Sequence, residues 1–278
     1  MRLLLTLVAT LAVLLAACGG GDDDNEPAST GTPSSPAGGS PAAAATVAGG
    51  SPTAAATASA PTAAATVENR TEVEALLMAA TLRLEDLPSG YTLDEEAFTT
   101  NEESAEDEGD LLGGPTLEDL DRFGRILGYE ASYSQESSLG SLLEGGTLSL
   151  QVTTTIYQES DGADESFEWV REQASDPEFV EAFEESFASS PGIEVQDASL
   201  TAMSFADVGN DRLAYEFKVS AHSTDLDQDI EFIAHLVGVR RDRLIGSVTV
   251  LAVNEASPVE ELEDVARTLD ERMKDALK

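Results

Sequence analysis

The sequence predicts an α+β protein in which an antiparallel sheet of about six strands packs against helices, one of them at the C-terminus. Three observations support this fold class. Segments with two-residue hydrophobic alternation come in runs, first two and then four. Helical periodicity fills the chain before, between and after these runs. Short turns join neighbouring strands in the second run, as in antiparallel hairpins.

Residues 1–17 have the composition of a targeting segment. Arg2 supplies a positive charge, and the apolar stretch from Leu3 to Ala17 is shorter than the roughly 20 residues that span a bilayer. It ends in Leu15-Ala16-Ala17-Cys18, which resembles the cleavage signal of bacterial lipoproteins. The resemblance implies that residues 1–17 are removed as a signal peptide, that Cys18 receives a diacylglycerol, and that the new amino terminus is acylated, for example with palmitate. The alternative is an ordinary secretory signal in which Cys18 has no role.

Residues 18–67 form the second segment, which after its cysteine consists almost entirely of Ala, Gly, Ser, Pro and Thr. Repeated prolines interrupt any helix that the alanine runs begin, and no aromatic residue precedes Tyr91. The segment is therefore expected to be a disordered tether. It separates the membrane from residues 68–278, which we predict to be an acidic α+β domain.

The folded region is predicted to begin with a helix near residue 71. Thr71-Glu72-Val73-Glu74 has the pattern of a capping box, and Leu87-Pro88-Ser89-Gly90 has the residues of a turn after the helix. The acid-rich segment 94–110 lacks clear periodicity, which favours a surface loop. Thr116 is positioned to cap a short helix before the first strand.

Two strands and two helices are predicted in the middle of the domain. Segments 128–136 and 147–157 alternate with a period of two, and the polar half of the second is predicted to face solvent. One helix opens at Asp161-Gly162, and another begins at Pro177. The first helix carries the apolar residues Phe167, Trp169 and Val170. The second carries aromatic residues at every fourth position, a spacing that favours packing on the sheet over a ligand site: Phe179, Phe183 and Phe187.

Four strands and a helix complete the chain. The predicted strands are 194–205, 212–221, 229–239 and 244–253. The last two are apolar on both faces, which predicts a central position in the sheet. The final helix follows Ser257-Pro258 and has one apolar face, made of Val259, Leu262, Val265, Ala266, Leu269, Met273 and Leu277.

The order of these elements, across roughly residues 71–277, resembles that of two families. One is the extracytoplasmic sensor domains of mycobacterial membrane kinases, and the other is small lipoproteins with the PsbP/Mog1-like fold. The resemblance implies an α+β domain outside the cytoplasm. The cysteines that link parts of the kinase sensor domains are missing, because Cys18 is the only cysteine in the chain.

The net charge of −38 and the scarcity of reactive residues exclude several classes of function. Such a charge repels the phosphates of nucleic acids, so no nucleic-acid partner is expected. One cysteine and two histidines leave no internal disulfide and little for a zinc site or a catalytic triad. The acid excess fits a saline habitat, cationic partners or cations in a cell wall, or simply the solubility of an exposed protein.

The alternating carboxylates Asp225, Asp227 and Asp229 are the most metal-like pattern in the sequence, because oxygen ligands suit Ca²⁺. An EF-hand loop beginning at Asp225 would need Gly in place of Ile230 and Glu in place of Leu236. A weak Ca²⁺ contact and a solvated strand face that discourages edge pairing both stay open as interpretations. No other cofactor is expected.

Each of the two histidines also allows two interpretations. His222 is either a general base that meets a nucleophile in space or a solvent-facing histidine on an edge strand. His235 shares the phase of Ile233, Val237 and Val239 on a predicted central strand. It is therefore expected to be a partly buried, hydrogen-bonded residue under a helix, with a ligand role as the alternative.

Together these observations predict a lipid-anchored protein on the outer face of the bacterial cytoplasmic membrane or at the cell surface. It is expected to act as a non-enzymatic binding or interaction module with a cell-wall or protein partner. One alternative is an extracytoplasmic hydrolase, which needs two carboxyl groups about 5–10 Å apart in a cleft if its substrate is a glycan. Another is a capture subunit for a transporter, although a two-lobed α/β pattern is missing.

Overall fold

The structure, a computed structural model, describes residues 67–112, 114–135, 146–188, 192–224, 226–254 and 259–278. Within these ranges, the side chains of residues 67–69, 107–112, 182, 183 and 185–187 are outside the description. The strands are β1 (Tyr91–Thr99), β2 (Arg125–Gln135), β3 (Gly146–Tyr157), β4 (Ile193–Ala202), β5 (Asp211–Ser223), β6 (Gln228–Arg241) and β7 (Leu244–Val253).

These strands form one antiparallel sheet in the order β1-β2-β3-β7-β6-β5-β4. The predicted α+β class with an antiparallel sheet is confirmed, with seven strands where about six were expected. β7 occupies the middle position with β6 beside it, as their apolar sequences predicted. Every residue of β7 is buried.

Helices lie on both faces of this sheet. Those in the described part of the chain are α1 (Val67–Ala80), α2 (Asn101–Leu112), α3 (Leu117–Arg122), α4 (Ser160–Gln173), α5 (Pro177–Ala188) and α6 (Val259–Ala276). None of them is both long enough and apolar enough to cross a bilayer. The predicted C-terminal helix is confirmed as α6.

One face of the sheet is covered by α1 and α6, which also pack on each other. Five of the seven residues predicted to face inward are buried, namely Leu262, Val265, Ala266, Leu269 and Met273. Val259 is only partly buried, and Leu277, which follows α6, packs partly against the core. Leu77 and Ala80 of α1 join the same cluster. Each buried leucine contributes about 1.5–3 kcal/mol, so this cluster is a main source of stability.

The other face carries α4, whose Phe167 and Val170 are buried in a second hydrophobic cluster. Gly162 allows the first turn of α4 to lie against the end of α3, since a Cβ at this position would be 1.9 Å from the carbonyl oxygen of Phe123. Ion pairs then join α4 to the sheet: Asp164 Oδ1 lies 2.9 Å from Arg240 Nη2, and Arg171 Nη2 lies 3.0 Å from Asp211 Oδ2. α4 is thus held close to the sheet along its length.

The prediction of a surface loop over 94–110 is wrong. The first part of this segment belongs to β1 and the remainder to α2. β1 is an edge strand whose side chains are mostly exposed, so its residues need no hydrophobic alternation. A capping box starts α2: Thr100 Oγ1 accepts from the Glu103 N–H at 3.2 Å, and the Glu103 carboxylate accepts from the Thr100 N–H at 2.9 Å. These hydrogen bonds lower the pKa of Glu103.

The start of α1 also differs from the prediction. The helix begins at Val67, so Thr71 lies within it and is not its cap. The residues between 67 and 71 include neither Gly nor Pro, and Arg70 Nε pairs with Glu74 Oε1 at 2.8 Å one turn later. Ser257-Pro258 and the side chains of Phe183 and Phe187 lie outside the described residues.

The polar half of β3 does not face solvent as predicted. Gln151, Thr153 and Thr155 are all buried, because helices cover both faces of the sheet. Thr153 and Thr155 line a small cavity together with Phe167 of α4. The amide of Gln151, which is 4% exposed, has no hydrogen-bond partner among the described residues. An unpaired buried polar group of this kind costs about 1–3 kcal/mol.

Candidate functional site

Several of the predicted site residues lie outside the described part of the chain. They include Cys18, the signal peptide 1–17 and all of the tether except Val67. Asp225, the first of the three alternating aspartates, also lies outside it. The predictions for these residues therefore stay predictions.

His222 and the other two aspartates come together where β5 and β6 meet their connecting turn. Nδ1 of His222 lies 2.9 Å from Oδ1 of Asp229, and Nε2 lies 3.8 Å from Oδ1 of Asp227. The hydrogen bond to Asp229 raises the pKa of His222. Within the described ranges, no group of three or more His, Cys, Asp and Glu side chains could hold a metal ion. β5 is also not an edge strand, because β4 lies beyond it, so the predicted edge position of His222 is wrong.

His235 is buried on β6, with 3% of its side chain exposed. Its Nε2 lies 3.2 Å from Oε2 of Glu216 on β5, the residue directly opposite in the strand register. Burial raises the pKa of Glu216, but hydrogen bonds from His235 and Lys218 outweigh it and the pKa is lowered. The expected hydrogen-bonded core histidine is confirmed, and its ring is committed to this pair.

An open groove of about 530 Å³ lies along the exposed side of α4 and the end of α3. We call it the acidic groove, and it is lined by Arg122, Phe123, Asp161, Asp164, Glu165, Glu168, Trp169 and Glu172. Its five carboxylates all belong to α4, and their positions, 161, 164, 165, 168 and 172, lie on one side of the helix. Arg122 is the single cationic residue in this lining.

The carboxylates of the acidic groove are only partly neutralised. Asp164 pairs with Arg240 at 2.9 Å, Glu165 with Arg122 at 3.4 Å, and Glu168 with Arg171. Asp161 and Glu172 form no ion pair with any described residue. The groove therefore keeps a negative potential that favours cations.

Aromatic side chains form the floor of the acidic groove. Phe123 is buried, and Trp169 is half-buried with its ring centroid 6.1 Å from that of Phe123. Trp169 packs partly against the second hydrophobic cluster and also borders the groove. An indole face next to carboxylates is suited to cationic groups with an apolar stem, through cation–π attraction.

A second open groove of about 480 Å³ lies where the β4–β5 connection passes α4. We call it the arginine groove, and it is lined by Arg171, Ala202, Met203, Ser204, Phe205, Arg212, Leu213, Ala214 and Tyr215. The charged side chains in this lining are both arginines. The sequence contains no local motif for this groove, because its walls come from three separate segments.

An enclosed cavity of about 10 Å³ lies between α4 and the sheet. Its polar lining consists of hydroxyl groups, two of which are joined, since Tyr157 Oη lies 2.9 Å from Ser166 Oγ. No carboxylate lines this cavity, so it is not the carboxylate-lined cleft that a hydrolase would need. A volume of this size admits one water molecule.

Comparison with solved structures finds the extracellular domain of PknH from Mycobacterium tuberculosis. The TM-score is 0.41 and the sequence identity 10%, over 72% of this chain and 96% of that chain. No protein-family model matches the chain, and no curated protein is similar to it in sequence. What binds in the grooves must therefore follow from the residues that line them.

Proposed function

We propose that this chain is a lipid-anchored extracytoplasmic protein whose folded domain is a non-enzymatic binding module for a cationic partner. The acidic groove is its binding surface. One observation carries the proposal: Trp169 stands half-buried among five carboxylates in an open groove of about 530 Å³. The partner would carry ammonium or guanidinium groups beside apolar surface, as a basic segment of a surface protein does.

Two physical effects support a cationic partner. The net charge of −38 attracts cations over long distances and speeds their encounter with the surface. At short range, Asp161 and Glu172 offer charges that no described residue neutralises, and the Trp169 ring adds cation–π attraction. The long-range effect favours any cation, whereas the short-range effect selects cations that fit the groove.

In this proposal the lipid anchor is attached to Cys18, because Leu15-Ala16-Ala17-Cys18 resembles the signal of bacterial lipoproteins. Two or three acyl chains hold a protein stably on a membrane, while a single chain holds it only marginally. A coil of the length of the tether 18–67 has a root-mean-square reach of roughly 35–42 Å. The domain would thus meet partners at some distance from the lipid surface.

The anchor is tested by comparing wild type with Cys18→Ser, and with Ser29→Ala in the tether as control. We expect wild type and Ser29→Ala to incorporate a clickable palmitate analogue, and Cys18→Ser not to incorporate it. Incorporation of the analogue by Cys18→Ser would contradict lipidation at this position.

The binding function is tested with pentalysine as the probe and with the fluorescence of Trp169, the only tryptophan in the chain, as the readout. The protein is the full chain carrying Cys18→Ser, which keeps it free of lipid. We expect a saturable fluorescence change, and an affinity about tenfold lower for the double variant Asp161→Asn/Glu172→Gln, because each lost charge contributes about 0.5–1 kcal/mol.

The matched control is Glu260→Gln/Glu271→Gln, which removes the same number of charges from exposed positions of α6, on the opposite face of the sheet from α4. It should lower the affinity less than about twofold, since charges farther than a Debye length of about 10 Å are screened. Equal losses in the two double variants would show that pentalysine senses only the net charge, and the acidic groove would then not be a binding site.

The hydrolase alternative has no comparable support. It requires carboxyl groups that converge in a cleft, whereas the carboxylates of the acidic groove are spread along one side of a helix in an open groove. The proposal rests on the open form of this groove, and hydrolysis stays the alternative interpretation.

A further inference from the structure

The charged residues that line the arginine groove are basic, although the chain as a whole has a large excess of acidic residues. In a chain with 53 acidic and 15 basic residues, the charged side chains that line this groove are Arg171 and Arg212. Their carboxylate partners Asp207, Asp211 and Glu168 do not belong to its lining. The acidic partners thus fix the arginines from outside, and the guanidinium groups are what a ligand in the groove would meet.

Arg212 is held in place and still has donors to offer. Its Nε donates to the carbonyl oxygen of Phe205 at 3.3 Å, and its Nη1 donates to Oδ1 of Asp207 at 2.6 Å. A guanidinium carries five N–H groups, so the N–H groups on Nη2 have no partner among the described residues. The side chain is 36% exposed. These two hydrogen bonds restrict its orientation before any ligand arrives, which reduces the entropy lost on binding.

Arg171 of α4 supplies a second guanidinium group, which is paired with Glu168 and Asp211. Its Nη2 donates to Oδ2 of Asp211 at 3.0 Å and to the carbonyl oxygen of Arg212 at 3.4 Å, and its Nη1 donates to Glu168. The guanidinium also lies over the Phe167 ring, 5.6 Å from the centroid. With 34% of the side chain exposed, this arginine remains reachable from the groove.

The rest of the lining is uncharged. Burial raises the pKa of Tyr215, although the charge of Arg171 acts against it, so the phenol stays protonated and can donate a hydrogen bond. The Ser204 hydroxyl is a second neutral donor. Met203 and Phe205 contribute apolar surface that packs partly against the core. Cationic, hydroxyl and apolar groups therefore surround one space of about 480 Å³.

We propose that the arginine groove is a binding site for a ligand with one carboxylate and an apolar body. The carboxylate would accept hydrogen bonds from Arg212, Arg171 and Tyr215, and the apolar body would lie against Met203 and Phe205. A planar carboxylate matches the fork of a guanidinium. A singly charged ligand is favoured over a phosphate dianion, because the field of a chain with net charge −38 opposes each added negative charge. This site is separate from the acidic groove and does not depend on its function.

Two sources could present this chemistry, namely a fatty acyl chain and the C-terminal residue of a peptide. Octanoate stands for the first and N-acetyl-L-phenylalaninate for the second. Their neutral amides, octanamide and N-acetyl-L-phenylalaninamide, keep the shape and lose the charge. Tight binding of one acid but not of the other identifies the source.

The experiment is calorimetric titration of the full Cys18→Ser chain with the four probes. We expect at least one acid to bind, and its amide to bind about tenfold or more weakly, since hydrogen bonds to a charged group are worth about a tenfold to hundredfold change in affinity. Arg212→Gln should lose about tenfold or more, Arg212→Lys should retain part of the affinity, and Tyr215→Phe should lose several-fold.

The control variant is Arg122→Gln, which removes an arginine from the acidic groove and should leave the affinity for the acid unchanged. Arg212 also ties the β4–β5 connection to β5, so the melting temperature of each variant is measured alongside. Tyr215→Phe keeps the packing volume and tests the site even if Arg212→Gln unfolds. Three outcomes would overturn the proposal: neither acid binds, an acid and its amide bind equally well, or Arg122→Gln lowers the affinity for the acid as much as Arg212→Gln does. None of them would change the result with pentalysine.

Discussion

The acidic groove and the arginine groove share helix α4 and are similar in size, yet carboxylates dominate the charged lining of the first and two arginines form that of the second. The acidic groove follows one side of α4, whose carboxylates recur at helical spacing. The arginine groove forms where the last turns of α4 meet β5 and the β4–β5 connection. The difference teaches that net charge does not fix the chemistry of a site. A chain with net charge −38 still contains a groove whose charged walls are cationic.

The largest expected effect comes from displacing α4, on which both grooves depend. In Gly162→Ala the new Cβ would collide with the Phe123 carbonyl oxygen, so the start of α4 must shift. We expect the free energy of unfolding to fall by about 3 kcal/mol and the melting temperature by about 6–12 °C. Affinities for pentalysine and for the carboxylate probe should fall together.

Gly146→Ala is the matched control for Gly162→Ala, because nothing lies within 4 Å of a Cβ at that position. Its melting temperature should stay near that of wild type. A Gly162→Ala protein with normal stability and normal affinity in both grooves would show that α4 tolerates the shift and does not position them.

The second-largest effect is expected when the charge of the acidic groove is reversed. Asp161→Lys/Glu172→Lys places like charges opposite a cationic ligand, which costs several kcal/mol. Pentalysine affinity measured by Trp169 fluorescence should fall about a hundredfold, while the affinity for the carboxylate probe should change less than about threefold. A comparable gain in carboxylate affinity would mean that the two grooves share one field and are not separate sites.

A smaller effect is expected from replacing Arg171, because this residue contacts both grooves. It lines the arginine groove and pairs with Glu168 of the acidic groove. Arg171→Met should weaken carboxylate binding about tenfold and strengthen pentalysine binding about two- to fivefold. A general loosening of α4 would lower both affinities and could not change them in opposite directions. A fall in both affinities would therefore contradict the proposed role of Arg171 in the two grooves.

The smallest effect concerns pH. Burial raises the pKa of Asp211, but hydrogen bonds from Arg171 and the Arg212 N–H outweigh it, so the folded-state pKa lies below the ordinary value of 3.8. The stability from this group is complete above the unfolded-state pKa and is lost as pH falls through the folded-state pKa.

Asp211→Asn should therefore be less stable than wild type at pH 6, by at most about 1 kcal/mol, and nearly equal to it in strong acid. Urea unfolding at both pH values measures the difference. A stability gap that persists in strong acid would assign the role of Asp211 to packing and not to its charge.

Elements with strong periodicity were predictable from sequence, and elements without it were not. α6 and the central strands bury one or two complete faces, so hydrophobic spacing identified them. β1 buries little and is held by its backbone pairing with β2, which leaves no apolar pattern to detect. The capping box at Thr100 and Glu103 was the available signal for α2, and it was hidden by the acid content of the segment.

The candidate sites were harder to predict for a related reason. The polar half of β3 alternates like a solvent-facing strand, and only the packing of α4 shows that Thr153 and Thr155 are buried. The spacing of the acidic-groove carboxylates is visible in the sequence of α4, but the contact of Trp169 with Phe123, which lies outside this helix, is not. The arginine groove joins Arg171 to Arg212 across 41 positions, so it follows from tertiary contacts alone.

The ion pair between Glu168 and Arg171, one turn apart on α4, makes the two grooves thermodynamically linked. A cation that engages Glu168 releases donors of Arg171 for a carboxylate in the neighbouring groove. Because linkage is reciprocal, the carboxylate must raise the affinity for the cation by the same factor. If both proposed ligands bind, each would therefore bind most tightly when the other is present.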